Sequence, residues 1–463
     1  MTSSDTAPND GSGLRAGDEL EIEFTDVLAN GQGVGRAQAL VVFCFGPLAG
    51  ERARVRIETR KRSYAVAEML ELLRESPDRT PPFCPVFGTC GGCQLQHLAY
   101  AAQLKWKQGV VRNALMRIGG LGEVAVGETI GMERPRAYRN KMALVVEHRE
   151  AQPTLGFYRQ RSHDIVAIDA CPIVTPRLDS LLAELLKART RAAGAAVLRP
   201  ARHLVARAAR STDRAVLSVT TARPIDDGEQ LAANLLPDLP SAVGLSNSYD
   251  PRSGNAILGR HQRDLAGATE VEETVGGVRY LISAGSFFQI NVEILERIFA
   301  FMTPWLAQPG RIVDLYCGAG TFALYFARHG WQVYGVEESP RAIAEANANA
   351  RRNALSDRAR FETGRVEELT RAPRVAKILR EADAVFLDPP RKGSEEAVLS
   401  AIAEARVGKV WYLSCDAATL ARDLKFLAAK GYRLDDVQPF DMFPQTGHVE
   451  TLVRLEHPEV SRT

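Results

Sequence analysis

The stretch "VDLYCGAGTFALYFA", residues 313–327, constrains the fold more than any other. An apolar run, a glycine-rich turn and an apolar-periodic helix follow without a spacer, which sets Gly318, Gly320 and Ala323 in the G-x-G-x-x-G/A pattern of a strand-turn-helix unit. Around it the β-type runs "RIVDLYC", "WQVYGVEE", "AVFLDPP" and "KVWYLSC" alternate with helical patterns, as an open parallel sheet requires. Such a sheet binds ligands at the carboxyl ends of its strands. Glu337 closes its strand about twenty residues beyond the first glycine, where an acid meets a ribose diol. Nicotinamide dinucleotides and S-adenosylmethionine both carry that ribose, so the pattern implies a nucleotide cofactor without choosing one.

Two later strand ends bear on the choice. Asp388 stands in "FLDPPRKG" and Cys415 in "VWYLSCDAATLARDL". A cysteine closing an apolar run is ordinarily packing. Here it ends a strand at the ligand edge, precedes a helix start that would lower a thiol pKa, and has an acid-proline motif on the neighbouring strand end. A thiolate beside a methyl donor suits an unreactive sp² carbon such as carbon 5 of uracil. Addition at carbon 6 makes carbon 5 nucleophilic, and after methylation a base must remove the carbon 5 proton before the thiol leaves. "FDMFPQTGHVETLVRL" offers His448 and Glu450 for that task, each otherwise an exposed turn residue.

The 463 residues suffice for about three domains. With 58 Lys and Arg against 56 Asp and Glu the net charge is +2, so any nucleic-acid surface is local. The N-terminus lacks a basic segment and an apolar core of the secretory kind, and no stretch is apolar for long enough to span a bilayer; the expectation is a cytoplasmic protein. Residues 1–13 read as a disordered tail. From Glu19 to Glu71 short β-type runs separated by glycine turns predict a small barrel. Arg52, Arg54 and Arg56 alternate there with Ala53, Val55 and Ile57, giving a basic strand face that is either solvated or turned to RNA. "AYAAQLKWKQGVVRNALMRIGG" predicts a helix ending at Gly119 and Gly120. "TPRLDSLLAELLKA" predicts another, with Thr175 as N-cap, Pro176 at its first position and a leucine stripe for the core. Cys84, Cys90 and Cys93 crowd into "FCPVFGTCGGCQLQH", which in a reducing compartment points to metal or catalysis rather than disulfides.

Taken together, these motifs resemble the RNA 5-methyluridine methyltransferases of the RumA/TrmA type, closest to the RumA (RlmD) type that acts on 23S ribosomal RNA. The resemblance runs through "GQGVGR", "GERARVRI", "CPVFGTCGGCQLQH", "YRNKMALVV", "SFFQIN", "DLYCGAGTF", "LDPPRKG", "YLSCDAATLARD" and "FPQTGHVETL", and so covers nearly the whole chain. It implies a multidomain α/β protein: a TRAM-like, OB-like β-barrel over 14–74, a central α+β domain with an iron-sulfur loop over 75–284, and a Rossmann-like S-adenosylmethionine-dependent methyltransferase domain over 285–463. It implies Cys415 as nucleophile and Glu450 as base, and Gln289, Tyr316, Gly318, Thr321, Glu337 and Asp388 around the methyl donor. Asp388 and Phe287 would lie near the target uracil. It also implies a 4Fe-4S cluster on Cys84, Cys90, Cys93 and Cys171, the last from "IDACPI", with a four-cysteine zinc site as the chemical alternative. Arg139 and Lys141 would join Arg52, Arg54 and Arg56 on RNA, with Tyr138, Phe157 and Tyr158 available for stacking. Cys44 and Cys317 remain as packing, and Arg365 stands where relatives often carry Asp or Asn. The implied partner of this monomer is ribosomal RNA, with the transfer-RNA T-loop as alternative. A dinucleotide-dependent oxidoreductase would leave "DPPRKG" and Cys415 unexplained, and a noncatalytic iron-sulfur RNA-binding protein would leave Cys415 and Glu450 without purpose.

Overall fold

Five strands of alternating burial, β1 (Glu19–Val27), β2 (Gln32–Ala37), β3 (Leu40–Phe45), β4 (Arg52–Arg60) and β5 (Tyr64–Arg74), close a barrel in the order β1-β2-β3-β5-β4. The computed structural model describes residues 13–148, 152–252 and 257–460, so the expected tail over 1–13 lies outside the described residues but for Gly13. Ala53, Val55 and Ile57 point inward and join Ile22, Phe24, Val42 and Cys44 in the barrel core. At Gly35 a Cβ would lie 2.3 Å from Cγ2 of Ile22, so β2 crosses β1 at a distance only glycine permits. Arg52, Arg54 and Arg56 do line the outer face of β4, but Glu21, Glu71 and Glu19 pair with them. The basic face of β4 is as expected, and its neighbours set acids beside it, so the barrel surface there alternates in charge. A single strand's run does not reveal the acids that its ladder neighbours β1 and β5 bring alongside.

Two compact units divide the chain: residues up to Gln103 together with Gln445–Gly447, and Leu104–Pro444 together with the segment from His448 onward. In the first, the cysteine loop is tied by Phe87 N–H to Cys84 O (3.1 Å) and Cys90 N–H to Val86 O (2.9 Å). Gln94 and Leu95 both donate to Gln445 O at 2.9 Å. Helix α1 (Tyr100–Ala114) passes into one π-helical turn, Leu115–Gly119, and stops at Gly120, whose φ of +61° suits glycine.

The second unit holds two seven-stranded sheets. In one, β6 (Lys141–Glu147), β7 (Thr154–Tyr158), β8 (Ile165–Ala167), β9 (Ala201–Ala209), β10 (Arg214–Thr221), β11 (Ala242–Tyr249) and β12 (His261–Gly267) run in the order β12-β11-β10-β9-β6-β7-β8. Helices α2 (Pro176–Ala188), α3 (Ala192–Leu198) and α4 (Gly228–Leu235) connect its strands. Helix α2 starts where expected and buries Leu178, Leu181, Leu182 and Leu185, but the Thr175 hydroxyl makes no capping bond. The backbone carbonyl of Thr175 accepts from Leu178 and Asp179 instead.

A hairpin of β13 (Glu270–Val275) and β14 (Val278–Ser283) leads to the other sheet. Its strands are β15 (Arg311–Leu315), β16 (Gln332–Glu337), β17 (Ala359–Thr363), β18 (Ala384–Leu387), β19 (Lys409–Ser414), β20 (Arg433–Phe440) and β21 (Glu450–Glu456), in the order β17-β16-β15-β18-β19-β21-β20. The helices α5 (Val292–Met302), α6 (Thr321–Arg328), α7 (Pro340–Arg352), α8 (Val366–Leu369), α9 (Pro373–Glu381), α10 (Glu396–Glu404) and α11 (Ala417–Ala429) alternate with them. Strands β15 to β19 are parallel and the β19-β21-β20 edge is antiparallel. Val313, Leu315, Val385, Leu387, Val410 and Tyr412 bury the middle of the sheet, as the continuous apolar runs require. Strand order reverses between β15 and β18, and a crevice opens at such a switch point. No helix among the described residues is long and apolar enough to cross a membrane.

Candidate active site

The turn after β15 is locally strained. Tyr316 takes φ +69°, which costs a non-glycine residue about 1–2 kcal/mol, and Tyr316 and Cys317 N–H hold it there by donating to Val336 O at 2.9 and 3.0 Å. Gly318 and Gly320, at φ +55° and +83°, then turn the chain into α6, whose first residue is Thr321. Glu337 ends β16 and accepts from Gly318 N–H (3.3 Å) and Ser339 N–H (2.9 Å).

Asp388 follows β18, Cys415 follows β19 and Glu450 opens β21. With Phe287, Gln289, Tyr316, Gly318 and Glu337 they line one cleft of about 680 Å³. Thr321 lines a smaller side cavity that shares Gln289, Tyr316, Gly318 and Asp388 with the cleft. Phe287 is 67% exposed, an unusual state for a phenyl ring, and sits on the loop before α5. Two residues that sequence reasoning missed fix this loop. Asn140 donates to Gln289 O (3.0 Å), and the fully buried Arg207 donates to Ser286 O (2.7 Å). The available signal for Arg207 was a charge set among the small and apolar residues of the second half of β9, Leu204–Ala209.

Lys141 lies beside this loop, its amine pushed down to about 7 by burial and then by Arg207 and Arg139. Arg139 donates to Lys141 O at 3.2 Å. Arg365, at the head of α8, lines the cleft with Glu367. Of the two turn candidates, Glu450 faces the cleft while His448 instead meets Arg391, 3.3 Å away, and burial holds it neutral with a pKa near 4. Of the aromatics available for stacking, Tyr138 lies in the core, 5% exposed with its hydroxyl donating to Pro444 O at 3.0 Å, while Tyr158 is exposed.

Acidic side chains outnumber basic ones in the cleft lining, with Glu337, Glu338, Glu345, Glu367, Asp388 and Glu450 against Arg341, Arg365, Arg391 and Lys392. Burial raises Asp388 to about 7, and burial followed by Asp388 pushes Glu450 well above the usual carboxylate range. Glu450 Oε1 has no partner among the described residues. The Cys415 thiol is pushed up to about 12 by burial and then by Glu450 and Asp388. This corrects the expectation of a lowered thiol. The end of α11 is taken by Asp416, whose carboxylate accepts from Ala418 and Thr419 N–H at 3.1 and 2.9 Å, so the helix terminus does not serve Cys415.

The cysteine loop gives less. Cys84, Cys90 and Cys93 belong to one unit and Cys171 to the other. All four are half-buried and outside disulfides. Among the described residues no three His, Cys, Asp or Glu side chains come together as a metal-holding group, so the thiols have the right donor chemistry but are not drawn into a ligand set.

The family model described as tRNA (Uracil-5-)-methyltransferase matches residues 99–458, and that of the TRAM domain matches 14–70, which contains most of the barrel. The chain belongs to the tRNA (uracil-5-)-methyltransferase family. Relatives in this family include an uncharacterized RNA methyltransferase of Clostridium acetobutylicum, 34% identical over 96% of this chain and 98% of its own length. Another, of Thermosynechococcus vestitus, is 37% identical over 95% and 98%. Among solved structures, a Pyrococcus abyssi tRNA (uracil-54, C5)-methyltransferase in complex with S-adenosyl-L-homocysteine superposes with a TM-score of 0.73 at 26% identity, over 94% of this chain and 100% of that one.

Proposed function

We propose that the chain methylates carbon 5 of a specific uridine in RNA, with S-adenosylmethionine as donor. The observation that carries this reading is the meeting of Cys415, Glu450 and Asp388, from three strand ends, on the cleft that Glu337 and the glycine turn also line. When bound, S-adenosylmethionine supplies an electrophilic methyl on a sulfonium cation, and the acid-rich lining suits a cation. Gln289, Tyr316, Gly318, Thr321, Glu337 and Asp388 hold the donor, and Phe287 stacks on the incoming base. Cys415, once its proton has left for solvent, adds as a thiolate to carbon 6 of uracil, and the electron pair this places at carbon 5 takes the methyl as its bond to the donor's sulfonium sulfur breaks to leave the neutral thioether. Glu450, in its carboxylate form, then accepts the carbon 5 proton as the bond between carbon 6 and the Cys415 sulfur breaks. Arg139 and Lys141 meet the phosphates of the flipped nucleotide.

As substrate we propose 23S ribosomal RNA in the cytoplasm, from the resemblance of the barrel and cysteine loop. A second reading, uridine 54 of transfer RNA, is favoured by the Pyrococcus structure, that of a transfer-RNA enzyme which superposes on 94% of this chain. Mapping 5-methyluridine in both RNAs from cells lacking the protein tests the reading. Loss of one residue from 23S RNA is expected, loss from transfer RNA selects the second reading, and unchanged 5-methyluridine in both overturns the reaction. The 4Fe-4S cluster on Cys84, Cys90, Cys93 and Cys171 rests on the resemblance alone, and no step above passes through it. The division at 14–74, 75–284 and 285–463 is part of the same proposal.

A further inference from the structure

A second cavity, of about 290 Å³, opens in the same unit as the cleft, and its chemistry is the reverse. Four guanidinium groups line it: Arg134 and Arg136 from the loop before β6, Arg177 from the first turn of α2, and Arg210 from the end of β9. Only two carboxylates oppose them. Arg177 pairs with Asp213, and Arg210 approaches Glu293 at 3.9 Å, a loose pairing. Arg134 is exposed and has no ion pair among the described residues. Thr175, the residue expected to cap α2, also lines the cavity, and its hydroxyl is buried without a partner.

The cavity adjoins the catalytic loop. Gly285, Ser286, Phe287 and Gln289 line the cleft and residues 291–293 line the arginine cavity, while Asn140 both lines the cavity and holds Gln289. We propose that this cavity binds a backbone phosphodiester of the substrate RNA, one distinct from the phosphate of the flipped nucleotide, and so sets the register in which uridine reaches Cys415. Planar guanidinium forks match phosphate oxygens two at a time, and phosphate contacts orient a nucleic acid without reading its sequence. The inference rests on the reading of the cleft as an RNA-methylating site.

The test uses the full chain and an end-labelled, unmodified transcript carrying the uridine that is methylated in the cell. Arg134→Ala with Arg136→Ala is expected to raise KM for the transcript about tenfold while kcat stays within about twofold. The slope of log affinity against log salt should fall by about 0.7 for each phosphate that the variant no longer neutralises. Affinity for S-adenosylmethionine and the melting temperature should remain as in the unaltered protein, and Arg134→Lys with Arg136→Lys should restore the slope. A slope and KM equal to those of the unaltered protein would overturn the phosphate site. Tight binding of the transcript without formation of 5-methyluridine would instead overturn the reaction assigned to the cleft, while the slope comparison still decides the cavity.

Discussion

With its thiol pushed up to about 12, Cys415 becomes a nucleophile only when its proton is taken or positive charge enters the cleft. Cys415→Ala should bind RNA yet give no covalent adduct and no methylation. Glu450→Gln should still add and methylate but fail to release the thiol, leaving a methylated protein–RNA adduct that survives denaturing electrophoresis. An adduct with the Ala variant, or normal turnover by the Gln variant, would remove the corresponding residue from its role. Asp388 has a consequence for stability as well. Folding raises its pKa from 3.8 to about 7, so the folded chain holds this proton more tightly than the unfolded chain does, and stability present at low pH is lost as pH rises to about 7. Asp388→Asn should therefore be the more stable protein at about pH 8, by at most roughly 4 kcal/mol, with the difference vanishing below about pH 4. Urea denaturation at the two pH values checks the sign.

Helix α1 holds one wall of the cleft through a buried ion pair. Lys107 Nζ donates to the Asp441 carboxylate and to Phe443 O, both charged side chains are fully buried, and Phe443 lines the cleft. Lys107→Met would leave Asp441 charged and uncompensated, a loss of about 3–5 kcal/mol in urea denaturation; adding Asp441→Leu should recover most of it. Such pairs are invisible in sequence, since their members lie far apart along the chain. What was legible at this scale were the elements whose own pattern dictates them: β15, β16, β18 and β19 from their apolar runs, α2 from its leucine stripe, and β4 from its alternation. The charge of the barrel surface around β4 was not legible, because Glu19, Glu21 and Glu71 reach it only through strand pairing. Nor was the fate of Thr175, whose hydroxyl the capping rule sends to the helix and the fold buries without a partner.

At the scale of the molecule, sequence reading found the cleft because strand ends of a parallel sheet converge by topology, and every donor and uracil residue it named there lines the cleft or its side cavity. It did not find Arg207 or Asn140, which act by holding backbone. The cysteines are a different case, since their spacing states donor chemistry but not convergence. Anaerobically purified protein should contain about four iron and four sulfide per chain, and Cys171→Ala should lose both as fully as Cys90→Ala does; stoichiometric zinc without sulfide would overturn the cluster. The N-terminal unit also borrows Gln445–Gly447 from the far end of the chain, and Gln445 O takes two of its backbone N–H groups. Its parts therefore leave the ribosome far apart in time. The barrel and the local bonds of the cysteine loop are made long before Gln445 exists, but the bonds from Gln94 and Leu95, just past the third cysteine, close only once the segment shortly before Glu450 has been synthesised.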